Sequence, residues 1–162
     1  MQTITINTFK YDELSEEAKE KAMETMHTIN VDHDWWDFIY EDAMTIGLKI
    51  TGFDIDRGSY CEGDFTEDEK DVAALIIENH GEICETHKTA QEYLTEYNKL
   101  VDSCRDDEDI NTEDIDKEFE QSILEDYRIM LTREYDFLTG EDAVIETIEC
   151  NDYNFTDNGE LI

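Results

Sequence analysis

From Glu113 to Leu138, the residues Ile115, Phe119, Ile123, Tyr127, Met130 and Leu131 recur at helical spacing, and neither glycine nor proline interrupts them. A segment of that length with one apolar stripe folds as a single long helix with one buried face. Asn111 or Thr112 can cap it. Just ahead of it the chain reads RDDEDINTEDIDKEFE, where nine of the fifteen residues after Arg105 are acids and only Lys117 opposes them. Those acids therefore fall in a loop and in the first turns of the helix. The helix dipole favours negative groups there, a small gain per group that accounts for two or three of the nine.

Shorter signals surround this helix. TITINTF alternates from Thr3 to Phe9 and predicts a strand. Ser15 can cap a helix running to Ile29, with Ala18, Ala22, Met26 and Ile29 on one face. DHDWWDFIYEDAMTIG predicts a second helix, capped by Asp32 or Asp34, striped by Trp36, Ile39, Ala43 and Ile46, and ended by Gly47. Of the adjacent tryptophans Trp35 and Trp36, one is expected in the core and the other at an edge, where with Tyr40 or Tyr60 it would anchor an interface. Leu48–Asp56 and Ser59–Phe65 alternate around Arg57-Gly58 and predict an antiparallel hairpin. Thr66 and Glu69 form a capping box for a helix that stops near Gly81. A further helix spans about Ile83 to Ser103, with Tyr93, Leu94, Tyr97, Leu100, Val101 and Cys104 on its buried side. After Gly140 a short helix precedes a closing strand or hairpin at Asp157-Asn158-Gly159. The fold class is α+β: a small antiparallel sheet packed with a layer of acidic helices. We expect one domain over residues 1–162, sheet-rich over 1–65, helix-rich and strongly acidic over 66–150, and closed by 151–162.

Forty-five acids against twelve bases give a formal charge of −33. The excess is uneven along the chain: 13 acids and 5 bases in residues 1–60, against 32 and 7 in residues 61–162. Such a charge says more about partners and solubility than about fold. It repels phosphates and anionic lipid surfaces, so neither direct nucleic-acid binding nor membrane association is expected. With 39% hydrophobic residues, including eight Tyr, seven Phe and two Trp, the chain is too apolar for a disordered polyanionic linker. It shows no signal peptide and no apolar run of membrane length, so a cytoplasmic location is expected. Cys61, Cys84, Cys104 and Cys150 are widely spaced, which in a reducing compartment means free thiols.

Enzyme signatures are missing: there is no Walker loop, GxSxG, GxGxxG or HExxH. We expect no enzymatic activity, no catalytic residues and no cofactor. Two metal patterns define an alternative, a divalent-metal-binding accessory protein holding zinc or calcium. His80, Cys84 and His87 stand at i, i+4 and i+7, one face of a continuous helix, with zinc-ligand chemistry, although Gly81 interrupts the run. Asp107, Asp109, Asn111, Glu113 and Glu118 fall at positions 1, 3, 5, 7 and 12 of a calcium-type loop, but Thr112 stands where a glycine makes the sharp turn. Asp54, Asp56 and Asp64 could form a nest for a divalent ion at the hairpin.

The acids themselves need a reason. Halophilic surfaces avoid lysine, yet eight of the twelve bases here are Lys. A duplex presents about one negative charge per 1.7 Å of axis, and its binders carry matching basic grooves. Carboxylates on successive helical turns sit about 5–6 Å apart at Cβ, so a rigid acidic helix surface can imitate a phosphate row. In size and charge the whole chain resembles the DNA-mimic proteins of phages and plasmids, the antirestriction and acidic anti-CRISPR proteins. FKYDELSEEAKEKAME, together with RGSYCEGDF, is similar to a group of small uncharacterised phage proteins. The resemblance implies an inhibitor that occupies the nucleic-acid groove of a host defence nuclease, a CRISPR effector or restriction enzyme, in the cytoplasm of the infected cell. The expected partner-binding residues are Asp106, Asp107, Glu108, Asp109, Glu113, Asp114, Asp116 and Glu120, with Glu67, Asp68 and Asp71 as a second cluster, imitating phosphates toward Arg and Lys. A homodimer would extend the charged surface.

Overall fold

The computed structural model describes residues 7–104 and 110–162. Among them are six α-helices and one two-stranded antiparallel sheet, an α+β fold. The chain divides into two compact units: residues 1–35 with 133–162, and residues 36–132.

The first unit joins both ends of the chain. A short 3-10 turn, Tyr11–Glu13, leads into α1, Glu16–Met26. Ser15 caps α1, its Oγ accepting from the Ala18 amide at 3.3 Å, and Ala18, Ala22 and Met26 face inward. α6, Glu141–Cys150, contributes Val144 and Ile148 to the same core, which Tyr11, Leu14 and Phe155 complete. Phe9 and Phe155 exchange both backbone hydrogen bonds at 2.9 Å, and the Tyr11 ring meets Phe155 edge-on at 6.4 Å. Of the N-terminal strand expected over Thr3–Phe9, Thr3 to Ile6 lie outside the described residues, and Phe9 makes an isolated bridge to Phe155. The C-terminus likewise forms isolated bridges about a turn in which Gly159 takes φ +83°, not a regular strand. Asn30 ties the unit together, donating to the Leu138 carbonyl at 2.9 Å and accepting from the Thr147 hydroxyl at 2.7 Å.

The second unit opens with α2, Asp37–Thr45. Neither Asp32 nor Asp34 caps it: the cap is Trp36, whose carbonyl accepts from Ile39 and Tyr40. Trp36 is half-buried; the buried tryptophan is Trp35, which belongs to the first unit, its ring 5.6 Å from that of Tyr135 in the same unit. Ile39, Ala43 and Ile46 are buried as their spacing requires, and Gly47, at φ +80°, ends the helix. The hairpin follows as β1, Leu48–Asp54, and β2, Tyr60–Phe65. Its register slips between Ile50 and Gly52. That bulge keeps the inner face in phase, because Leu48, Ile50 and Phe53 all pair with the less exposed residues Phe65, Gly63 and Cys61. Phe53 therefore packs edge-on against Trp36 at 5.4 Å and Tyr40 at 6.2 Å.

α3, Glu69–Asn79, buries Val72, Ala73 and Ile76. The capping box expected at Thr66 and Glu69 does not form. Thr66 instead donates its amide and its hydroxyl to the Gly47 carbonyl, at 2.8 and 3.2 Å, which sews the hairpin's exit to its entry and moves the helix start past Asp68. α4, Glu85–Ser103, buries Thr86, His87, Ala90 and Tyr93. The expected stripe holds only in part: Leu94, Tyr97, Leu100 and Cys104 are half-buried and Val101 is exposed, since the buried face lies in the first half of the helix. α5, Glu113–Leu138, has the bounds its periodicity predicts and buries Phe119, Ile123, Tyr127 and Leu131. Within this unit α4 and α5 run antiparallel: Thr89 donates to Asp126 at 2.8 Å and Tyr93 to Asp116 at 2.6 Å, and the Tyr93 and Phe119 rings stack at 4.3 Å.

Candidate functional site

The fold brings Glu69, at the start of α3, beside the acids that open α5, whereas Glu67, Asp68 and Asp71 do not line the concavity formed there. The start of α3 and the first turns of α5 line a concavity of about 470 Å³, with Glu69 on one side and Glu113, Asp116, Lys117 and Glu120 on the other. Asp64 of β2 stands close enough to act on Glu120: burial first, then the charges of Glu69 and Asp64, push the Glu120 carboxyl above its ordinary value. Glu67, Asp68, Asp71, Glu113 and Asp114 are exposed, and none of them takes part in an ion pair among the described residues.

Two expected residues have other duties. Asp116 is half-buried and accepts from Tyr93 at 2.6 Å through one oxygen and from Thr112 at 2.5 Å through the other. It pins α4 to α5 and offers no free oxygen to a partner. Glu120 is half-buried and faces other carboxylates, so it too departs from a row of solvent-facing charges. Asp106, Asp107, Glu108 and Asp109 lie outside the described residues. Asn111 accepts from the Glu113 amide at 3.1 Å. The calcium-type loop is thus left with Glu113 and Glu118 inside α5 and Asn111 committed to its start, while Asp107 and Asp109 lie outside the described residues.

The folded distribution of charge differs from that along the chain. The first unit holds 17 acids and 4 bases in 65 residues, and the second 28 and 8 in 97. Each carries about one net negative charge per five residues. What sets the concavity apart is therefore convergence of acids from α3, β2 and α5, not a higher density.

His80, Cys84 and His87 do not share a helical face. His80 terminates α3, Cys84 is an exposed cap of α4, and the chain turns between them at Gly81. His80 is instead part of a buried polar relay. Its Nδ1 meets the Thr86 hydroxyl at 2.7 Å, its Nε2 lies 3.5 Å from Asp42 Oδ1, and the other Asp42 oxygen accepts from the Tyr127 hydroxyl at 2.7 Å. His87 Nδ1 contacts the His80 carbonyl at 2.9 Å. The His80 imidazole, then the Tyr127 hydroxyl, hold the Asp42 carboxyl below its usual range against the opposing effect of burial. Carboxylate, imidazole and hydroxyl in series are a hydrolase-like order, but Thr86 is only 3% exposed, so no substrate reaches its oxygen. The relay joins α2, α3, α4 and α5 mechanically. The sequence showed the two histidines but not Asp42, which lies far away along the chain. At the hairpin tip, Asp54 accepts from the Asp56 amide at 2.7 Å, a turn rather than an ion nest. No three His, Cys, Asp or Glu side chains among the described residues come together as a metal-ligand set.

Burial, with Glu62 adding to it, pushes the Cys61 thiol up to about 11. No helix among the described residues is long and apolar enough to cross a membrane. Comparison with protein families, with curated proteins and with solved structures finds no match for this chain.

Proposed function

We propose that this chain is a non-enzymatic inhibitor of phage type that imitates DNA, placing its carboxylates in the basic nucleic-acid groove of a host defence nuclease, a CRISPR effector or a restriction enzyme. The observation that carries the reading is the convergence of acids distant in sequence, Glu69 of α3 and Asp64 of β2 with Glu113, Asp116 and Glu120 of α5, at one concavity. α5 holds Glu113 and Asp114, and α3 holds Asp71, before any partner arrives, so little ordering entropy opposes docking at these positions. Docking would release counter-ions from both surfaces, relieve the self-repulsion of a −33 chain, and proceed quickly through long-range attraction.

The residues assigned to this contact are the exposed Glu67, Asp68, Asp71, Glu113 and Asp114, with Asp106, Asp107, Glu108 and Asp109 as sequence-based members. Asp116 and Glu120 are half-buried in the wall of the concavity. The test is displacement of a fluorescent duplex from purified restriction and CRISPR effector nucleases, alongside capture from a bacterial lysate at low and high salt. Displacement that weakens as salt rises, and weakens again in a variant carrying Glu67→Gln, Asp68→Asn, Glu113→Gln and Asp114→Asn, supports the reading. Full displacement by that variant would assign the contact to another surface. Failure to displace DNA from any such enzyme would remove the reading.

A further inference from the structure

Between α4 and α5 lies a cleft of about 110 Å³, the scale of one side chain. Its floor is mostly apolar: Tyr93 and Phe119, 5% and 3% exposed, with the half-buried Ile115, and the half-buried hydroxyl residues Thr89 and Ser122 beside them. Its rim is acidic, with Glu92 and Glu96 one turn apart on α4 and Glu118 facing them from α5, all three exposed. None of the three is in an ion pair among the described residues. Packing two helices with like charges on both lips raises their energy, and a cation seated between them lowers it.

The geometry selects the kind of cation. The carboxylates do not converge as a metal-ligand set. A compact divalent ion is therefore a poor occupant, whereas an extended cation can meet all three across an oily floor. An arginine side chain has that form: an aliphatic stem to lie on Ile115 and the ring edges, and a planar five-donor head to fork between carboxylates. We propose that this cleft is a socket for one arginine of a protein partner. The proposal rests on the reading of a basic partner but uses residues other than those of the concavity.

The experiment titrates the full chain with hexa-arginine and hexa-lysine peptides of equal charge, by calorimetry and by amide resonance shifts. The expected result is tighter binding of hexa-arginine, with shifts at Glu92, Glu96, Ile115 and Glu118. A variant with Glu92→Gln, Glu96→Gln and Glu118→Gln should bind hexa-arginine about tenfold more weakly, as expected for lost charged hydrogen bonds. A control with Glu17→Gln, Glu20→Gln and Glu24→Gln on α1 removes the same charge and should change affinity by less than about twofold. Equal affinity for the two peptides, or equal weakening in the two variants, would mean that the peptides read only total charge and would overturn the socket. Displacement of the peptide by one stoichiometric Mg²⁺ would overturn it in favour of a metal. If the socket fails while the chain still displaces duplex DNA from a nuclease, the wider reading stands without it; if the socket binds and displacement fails, the reverse holds.

Discussion

Gly159→Ala and Gly58→Ala form a matched pair of perturbations. The two glycines have nearly the same backbone, φ +83° and +84°, so an alanine at either place meets the same left-handed penalty, about 1–2 kcal/mol. Their surroundings differ. A Cβ at Gly58 has no neighbour within 4 Å, whereas one at Gly159 would stand 2.1 Å from the Ala18 carbonyl oxygen in α1. Ordinary contact begins near 3.4 Å, so the C-terminal turn must retreat by roughly 1.3 Å. Retreat draws Phe155, fully buried, out of the core that it shares with Tyr11 and α1. Complete loss of a buried Phe costs about 3–5 kcal/mol, so partial loss together with the backbone term places Gly159→Ala at about 3–5 kcal/mol and Gly58→Ala at about 1–2. Urea unfolding followed by circular dichroism measures the difference. Hydrogen exchange of the Phe9 and Phe155 amides, which bond reciprocally, localises it to the first unit. Equal destabilisation of the two variants, or unchanged protection of those amides in Gly159→Ala, would refute the close approach of the turn to α1.

Other outcomes follow from the buried groups. Tyr127→Phe removes the donor to Asp42 and should cost about 1–2 kcal/mol. The depressed Asp42 carboxyl stabilises the fold above its ordinary range and loses that contribution as pH falls through its lowered value. Tyr127→Phe should therefore shift the acid limb of unfolding to higher pH; an unshifted limb would place Asp42 outside it. Glu120 and Asp126 have the opposite sense. Burial, then neighbouring acids, raise both, so these two groups bind protons more readily in the folded chain and their contribution to stability rises as pH falls through their raised values. Glu120→Gln removes the burdened carboxylate, so in calorimetry the variant should gain Tm relative to the parent as pH rises through the carboxylate range, and a pH-independent difference would contradict this. With a disulfide thiol reagent at about pH 8, the exposed Cys84 and Cys150 should react first and Cys61 last, its thiolate being scarce at that pH.

The long periodic signals were legible in the sequence because one buried stripe and one turn geometry dictate them. α5 has the bounds of its apolar pattern, and the hairpin turns at Gly58, where φ is positive. Ser15 caps α1 because nothing competes for its hydroxyl. Thr66 had the same local signature, but the Gly47 carbonyl, nineteen residues earlier, captured its hydroxyl. Val101 kept helical phase and still lies in solvent, because periodicity fixes a face and not how far along the helix that face is covered. The register slip at Ile50/Gly52 leaves no mark in a run of alternating residues. The concavity was half legible. Both acid clusters stood out by composition, but the approach of Glu69 to the start of α5 is set by tertiary structure, and the inward turn of Asp116 depends on Tyr93, 23 positions away.

The division of the chain also sets an order of events during synthesis. Residues 36–132 can close their own core as soon as they have emerged, because every member of that unit is contiguous. The apolar side of α1, made earlier, has to wait for Val144, Ile148 and Phe155, which a ribosome delivers after residues 36–132. Here the usual precedence is reversed, and the segment made first stays unfinished until the segment after residue 132 arrives.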